Sequence, residues 1–554
     1  MPTVTVDGQE IELGDDERLN GIQVARRAGV EIPHYCWHAG LTVVASCRMC
    51  LVESGRKDRE SGEISMIPKL VPACQTPAAD GTVFVTNSEK VKSARSMVEE
   101  DLLIRHPIDC PVCDKAGECS LQDYHFQHGQ GQRRADIKPF TSRRRPMGDT
   151  VTLFVDRCVM CTRCVRFTRE ISGTSELMVI NRGAHEEIDV FPGFPLDNKM
   201  SGNVVDLCPV GALGDKDFLY SQRVWFMKQH DHVCAGCSTG CSIHVEENHD
   251  HVYRLKPREN PHINHWWMCD EGRYGYKHIH DPGRVTQPTR RDETGEMVSA
   301  DWSDLNQRID SSLRSGLDNG GLDNGGLRDN GKLAAVLSPY LTVEEAYLLS
   351  DYIRGLDPDA ALVLGPIPIE GTDETYPGNF TIRAEKCPNR NGVEAVISAL
   401  SGRLLTFDEF LDQISDGSCG GVWITGGYKT DWISDEQAMK LAKIPTIVLQ
   451  EMFASPLSDH ASYRLGALTF AEREGSYVNV GDRLQSFRWA IRPPAGVMPD
   501  GQLYWQLSGR AGMFQAAEVL AEVADSIPYF HAAAGEIPDV GVDLKITRLA
   551  SVEG

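Results

Sequence analysis

Residues 156–174, DRCVMCTRCVRFTREISGT, and residues 201–213, SGNVVDLCPVGAL, carry the most information in this 554-residue chain. Cys158, Cys161 and Cys164 stand at C-x2-C-x2-C spacing, and Cys208-Pro209 supplies the C-P that follows. Together they form half of a bacterial two-cluster ferredoxin run, C-x2-C-x2-C-x3-C-P. In such a run the fourth cysteine serves a second cluster; here that position is Thr168. Counting back from Cys208 at the same spacing puts the second triad on Asn198, Ser201 and Val204. The pattern therefore predicts one surviving 4Fe–4S cluster on Cys158, Cys161, Cys164 and Cys208, with its twin lost.

Working outward, three further groups appear. Upstream lie Cys36, Cys47, Cys50 and Cys74, one close pair with two outlying members. Four thiolates so spaced suit a 2Fe–2S cluster, each iron taking two. The TVTV and QEIEL runs around Asp7-Gly8 predict a hairpin, and LNGIQVARRAG predicts a helix stopped by Gly29. A hairpin, a helix and a cysteine loop make a small ferredoxin-like β-grasp domain. Next come His106, Cys110, Cys113 and Cys119, packed into HPIDCPVCDKAGEC after a helix expected over Glu89–Arg105. That helix should start at Ser88 and bury Val91, Ala94, Val98 and Leu102. By spacing alone a zinc site of three cysteines and one histidine fits this group as well as an iron–sulfur cluster does. Downstream, Cys234, Cys237, Cys241 and Cys269 give another 4Fe–4S pattern, with structural zinc as the alternative.

Fifteen of the 17 cysteines fall in this span, and only Cys387 and Cys419 lie beyond it. In a chain this long, with no basic-then-apolar N-terminal leader, metal binding is a better reading than a disulfide framework. Four successive sets favour iron–sulfur over zinc, because electron carriers must string clusters together. Cys387 and Cys419 read as ordinary buried thiols. The composition, 41% apolar and 24% charged, excludes a fibrous or disordered protein. A net charge of −23 makes nucleic acid a poor partner, and no apolar run is long enough to span a bilayer. The basic segment RRADIKPFTSRRRP (133–146) reads as a solvated connector, or else as a tether to an acidic partner or a brace for anionic clusters.

The stretches EIPHYCWHAGLTVVASCRMCLVE (31–53), HPIDCPVCDKAGECSLQDY (106–124), and the two quoted first resemble the large iron–sulfur subunit of NADH-quinone oxidoreductase, respiratory complex I. The likeness covers residues 1 to about 280 and continues more weakly through TFAEREGSYVNVGDRLQ (469–485). It implies that Cys36, Cys47, Cys50 and Cys74 hold a 2Fe–2S cluster. It likewise implies 4Fe–4S clusters on His106, Cys110, Cys113 and Cys119, on Cys158, Cys161, Cys164 and Cys208, and on Cys234, Cys237, Cys241 and Cys269. The last set matches a cluster that only some members carry, which points to a bacterial protein. The implied task is one-electron relay, with no nucleophile or general acid on this chain. Electrons would come from a flavoprotein that oxidises NADH and enter at the 2Fe–2S cluster. They would cross the Cys158 set to the His106 set, then leave through quinone-side peripheral subunits. The implied location is the cytoplasmic side of the inner membrane, in a peripheral arm without membrane insertion. Two relatives share the N-terminal half: NAD-linked formate dehydrogenases and iron-only hydrogenases. Both typically keep the twin cluster that Thr168, Asn198, Ser201 and Val204 have replaced. Glu271 also stands where molybdenum enzymes of the first kind usually carry a lysine.

The C-terminal half reads as alternating β and α. Strands are expected at 333–337, 360–364, 421–425 and 446–449, with helices at 342–354, 392–401 and 434–443. That alternation implies a parallel, Rossmann-like sheet. No G-x-G-x-x-G follows a strand, so nucleotide binding has no support. The resemblance implies a molybdopterin-type domain kept as scaffold, with no molybdopterin. The expected organisation is multidomain, α+β and α/β. It comprises a β-grasp 2Fe–2S domain (1–87), a 4Fe–4S domain with one histidine and three cysteine ligands (88–140), a ferredoxin-type 4Fe–4S domain (141–227), a molybdopterin-oxidoreductase-type 4Fe–4S domain (228–283) and a cofactor-free α/β domain (284–554). The tandem GLDNG repeat at 316–331 cannot bury a core and reads as a surface loop. HWWMC (265–269) places two tryptophans where they would shield a cluster from water.

Overall fold

The computed structural model describes residues 1–58, 60–132, 134–183, 185–318, 322–323, 326–327, 332–414 and 419–545. The chain divides into two compact units, one of residues 1–227 with 376–380, the other of 228–375 with 381–554. Among the described residues no helix is long and apolar enough to cross a membrane.

In the first unit, Asp7 and Gly8 both take positive φ, 48° and 88°. That is the two-residue turn a right-twisted hairpin needs, and Thr3–Val6 pairs antiparallel with Gln9–Glu12 around it. Thr3–Val6 also runs parallel to Thr82–Val85, which pairs with Leu51–Lys57 to complete a β-grasp sheet. The helix Gly21–Arg27 begins at Asn20 with a capping box to Gln23, and Gly29 follows its end at φ 72°. Its Ile22, Val24 and Ala25 join Val4, Val6, Leu13 and Phe84 in one core. At about 1.5–3 kcal/mol for each large apolar side chain buried, this core is the main force closing the small domain.

The helix Glu89–Arg105 starts at Ser88, whose side chain accepts from Val91 N. Its buried face is Val91, Arg95 and Glu99, with Ala94, Val98 and Leu102 only half-buried. The expected apolar stripe is thus displaced by two charged residues. The reason is local: Glu99 accepts a hydrogen bond from the buried Tyr35 hydroxyl, so the helix turns its polar side inward to meet it. Of the basic segment, Arg134 pairs with Glu100, Arg143 with Asp156 and Glu187, and Arg145 with Glu187 and Asp189. These arginines brace this unit's own acids; Arg133 lies outside the described residues.

In the second unit, Lys228–Val233, Ser242–Asn248 and His251–Pro257 form an antiparallel meander. Beyond it lies an eight-stranded sheet. Tyr463–Gly466, Thr446–Glu451, Cys419–Thr425, Lys332–Leu337, Ala361–Leu364 and Leu405–Thr406 run parallel in that order. Thr289–Arg291 and Met297–Ser299 add an antiparallel edge. Val343–Leu356 and Arg390–Ser401 contribute to one large apolar core, and Phe407–Gln413 and Asp435–Leu441 to a second, so the sheet is covered on both faces, as a parallel sheet requires. Of residues 316–331, Leu322–Asp323 and Gly326–Leu327 make a short antiparallel ladder, and most of the rest lies outside the described residues. The 469–485 segment is tied inward by buried charges. Glu472 meets Arg284 at 2.6 Å, and Arg473 meets Glu345 at 2.8 Å and Asp500 at 3.0 Å.

Candidate metal centres

The first cysteine set forms on a loop that must turn sharply. Ala45 and Arg48 adopt positive φ, 51° and 61°, and the turns bring Cys47 and Cys50 inward. The strand Val71–Pro72 pairs back onto Leu51–Val52, and Ala73 N donates to Cys50 O at 2.9 Å, which delivers Cys74 beside Cys50. The thiols associate in two pairs, Cys36 with Cys47 and Cys50 with Cys74. Within the first pair, hydrogen bonding pulls Cys36 below the usual thiol range and pushes Cys47 above it. Cys36, Cys50 and Cys74 are buried and Cys47 half-buried.

The Cys158 set uses the same device. Met160 and Thr162 take positive φ, 49° and 58°, winding the loop so that Cys158, Cys161 and Cys164 face inward. Cys208 enters from the end of the helix Asn203–Leu207. All four line one small cavity walled by Leu153, Ile188 and Leu213. Burial, followed by repulsion from the neighbouring thiols, pushes Cys161 up to about 11 and Cys164 well above its ordinary value. The lost-twin positions are filled otherwise: Thr168 donates to Val165 O, Ser201 bonds Thr150, and Val204 is buried.

His106 ends the helix Glu89–Arg105, and Cys119 caps the helix Ser120–His128. Cys113 lies within electrostatic reach of Cys110 and Cys119 of Cys113, while His106 and Cys113 share Arg157 as a neighbour. Burial, reinforced by Arg157, lowers His106 to about 4, which keeps the imidazole neutral and able to donate a lone pair. Cys110 is exposed, whereas Cys113 and Cys119 are buried.

These three sets are stitched to one another inside the first unit. Arg166 donates to Cys36 O and Thr42 O of the first set's loop and to Cys161 O of the Cys158 set. Arg163 likewise spans Trp37 O and Leu207 O. Arg157, next to Cys158, pairs with Asp109, next to Cys110, at 2.9 Å. Ser120 N donates to Pro209 O at 2.9 Å. At Gly211, a Cβ would overlap Cys113 Sγ, so the Cys208-Pro-Val-Gly turn comes this close only because it carries glycine.

The fourth set lies in the second unit. Cys234, Cys237 and Cys241 occupy the loop between two meander strands, with Cys234 N donating to Cys241 O at 2.8 Å. Cys269 caps the helix Asp270–Tyr274, its sulfur accepting from Gly272 N at 3.3 Å. Burial pushes Cys234 up to about 12 and Cys241 and Cys269 well above the ordinary thiol range. Trp267 is buried beside this set and Trp266 half-buried. Cys387 and Cys419 are buried apart from the four sets in the sequence.

Does an iron–sulfur group fit these residues? Burial of thiolates is costly unless a cation takes up the charge, so sets of this kind call for a metal centre. Among the described residues, no three His, Cys, Asp or Glu side chains draw close enough to hold a single ion. Buried donors also stand without acceptors beside them: Nε and Nη2 of Arg95, near Cys50, and Nε of Arg163 and Arg166, near Cys161. Sulfide-bearing anions would accept those hydrogen bonds. Sequence reasoning missed these arginines. Two of them, Arg163 and Arg166, alternate with the cysteines in DRCVMCTRCVRF together with Arg157, and that alternation was a readable signal.

Four family models match in succession. They are the 2Fe-2S iron-sulfur cluster binding domain (1–89), the NADH-ubiquinone oxidoreductase-G iron-sulfur binding region (95–134), the ferredoxin-like domain of NADH-quinone oxidoreductase subunit 3 (148–214) and the molybdopterin oxidoreductase Fe4S4 domain (227–281). The fold and the thiol sets therefore define a protein of 2Fe–2S and 4Fe–4S binding domains joined to a mixed α/β region. The G-type subunit of NADH-quinone oxidoreductase from Rickettsia felis is 34% identical over 356 residues, 64% of this chain and 49% of the relative. The Rickettsia bellii protein of that name is 36% identical over 315 residues, 57% and 44% of the two chains. The one from Streptomyces coelicolor is 33% identical over 358 residues, 64% and 39%. Models and relatives alike make this chain similar to these G-type subunits over the matched residues. The chain spans about half the length, or less, of the curated relatives it matches. A chain from the crystal structure of an NAD+-reducing [NiFe]-hydrogenase in the H2-reduced state matches 40% of this chain and 91% of its own length, at 26% identity and a TM-score of 0.32.

Proposed function

We propose that this chain relays single electrons through iron–sulfur clusters as a subunit of an NADH:quinone oxidoreductase, from a flavoprotein partner towards quinone-side peripheral subunits. The observation that carries this reading is the stitching of three cysteine sets in one unit, through Arg166, Arg163, Arg157–Asp109 and Gly211–Cys113. A structural metal scaffold has no need to place its sites next to one another; a relay does.

Cys36, Cys47, Cys50 and Cys74 would hold the 2Fe–2S cluster. His106, Cys110, Cys113 and Cys119 would hold one 4Fe–4S cluster, Cys158, Cys161, Cys164 and Cys208 a second, and Cys234, Cys237, Cys241 and Cys269 a third. Each cluster supplies reversible one-electron chemistry. This chain's residues do the rest: they fix the separations, exclude water by burial and aim Arg95, Arg163 and Arg166 at the anionic groups. His106 contributes a neutral ligand in place of a thiolate, which raises the potential at its set, as histidine does in Rieske centres. The domain division at 87, 140, 227 and 283, the cofactor-free α/β region and a peripheral place on the cytoplasmic face of the inner membrane belong to the same reading.

The experiment is iron, sulfide and zinc analysis with EPR of anaerobically purified protein. The expected result is about 14 iron atoms per chain, the sum for one 2Fe–2S and three 4Fe–4S clusters. Four zinc ions and negligible iron would overturn the proposal.

A further inference from the structure

The loop that carries Cys234, Cys237 and Cys241 is held from outside as well as by its own backbone. Ser238 N donates to Glu385 O at 2.9 Å and Thr239 Oγ1 to Thr381 O at 2.8 Å. Asn479 Nδ2 donates to Thr239 O at 3.0 Å and Gln485 Nε2 to Gly240 O at 2.7 Å. The same α/β region sends two lysines to the set. Lys386 is 5% exposed and donates through Nζ to Glu271 Oε2 at 2.7 Å, with Cys237 and Cys269 within reach of its charge. Lys429, half-buried, lines a cavity with Cys234, Gly236, Glu271 and Gly272, and its charge acts on Cys234.

Burying an ammonium is expensive, and a single half-buried carboxylate offsets only part of the cost. Lys386 has three protons to donate, and its nearest carboxylate takes one. A cation held in low dielectric beside an electron acceptor stabilises the reduced form, which carries one more negative charge; an anion there does the reverse.

We propose that Lys386 and Lys429 are positioning residues that raise the reduction potential of the centre on Cys234, Cys237, Cys241 and Cys269, with Glu271 as the opposing charge. The α/β region thereby acts on that centre electrostatically, beyond serving as scaffold. This rests on the reading that the fourth set holds a cluster.

The test is redox-poised EPR on the full-length protein, with iron per chain measured in parallel. At the potential that half-reduces the wild-type centre, Lys386→Met should lower the ratio of reduced to oxidised centre by about threefold or more, and Lys429→Met should shift it the same way. Lys386→Arg should restore most of the ratio. Glu271→Gln, which removes a charge and leaves every cysteine in place, should raise it. A mere pin between Lys386 and Glu271 predicts no such opposition of sign. If Lys386→Met loses iron, the Glu271→Gln and Lys386→Arg measurements decide; an unmoved ratio in Glu271→Gln overturns the proposal. Absence of the signal in the wild-type protein would break the cluster assignment itself. A signal present but immobile in all variants would break this proposal alone.

Discussion

The three cysteine sets of the first unit and the single set of the second are largely buried, but they are held differently. In the first unit, arginines that sit between or beside the cysteines tie each set to the next, so neighbouring sets share their supports. In the second, the loop is pinned by Thr381, Glu385, Asn479 and Gln485, which among the described residues make no hydrogen bond to the other three sets. Shared supports make a connected series, in which damage should spread. Private supports make an isolated site, in which damage should stay local.

Gly211→Val tests this most severely. The new side chain would collide with Cys113 Sγ and force the Cys208 turn away from the His106 set. Both clusters should go together, a loss of about 8 of about 14 iron atoms. Iron analysis showing only one cluster lost would mean the two sets do not share this contact. Cys269→Ala should instead remove about 4 iron atoms and no more. It should also lower thermal stability and assembly, because metal sites contribute folding energy directly. NADH-to-quinone turnover per flavin in the assembled complex should stay nearly constant; a fall of about tenfold would put the fourth set on the main path.

A smaller effect is expected at a single ligand. His106→Cys adds a thiolate and should lower that cluster's midpoint while leaving iron content unchanged. A midpoint unchanged or raised in redox-poised EPR would remove His106 from the ligand set. The smallest expected change is at Glu99. Burial raises its carboxyl from 4.5 to about 7, opposed by the Tyr35 hydroxyl. The folded protein therefore keeps a proton that the unfolded chain has released, and stability falls as pH rises through that window, levelling above it. Glu99→Gln should be more stable than wild type at pH 8 by about 1–3 kcal/mol and nearly equal near pH 5. Melting curves at the two pH values check it, and an equal difference at both would show that Glu99 does not titrate there.

The hairpin at Asp7-Gly8, the cap at Ser88 and the strands of the parallel sheet were legible because each depends on neighbours in sequence. The proposed grouping of the cysteines rests on the same local logic, since spacing limits which thiols one loop can gather. The buried face of Glu89–Arg105 was not, because Tyr35, which draws Glu99 inward, comes from a loop some 60 residues away. Lys386 gave no signal at all: nothing in EKCPNRNG announces a partner at Glu271. The order of strands in the large sheet was equally silent, since Tyr463–Gly466 joins Thr289–Arg291 across a long connection. Chemistry held within one loop can be read from its residues; chemistry assembled from distant segments cannot.

The pins on the fourth cysteine loop also set a timetable. Synthesis proceeds from the N-terminus, and Asn479 and Gln485 leave the ribosome about 200 residues after Cys269, roughly 10–40 s later at about 5–20 residues per second. Until then Cys234, Cys237, Cys241 and Cys269 have no completed housing, while the first set, closed by Cys74, already has its sheet. On the proposed assignment, loading of the clusters would be staged, with the fourth site the last to be able to accept its cargo and the one left open longest to oxidation.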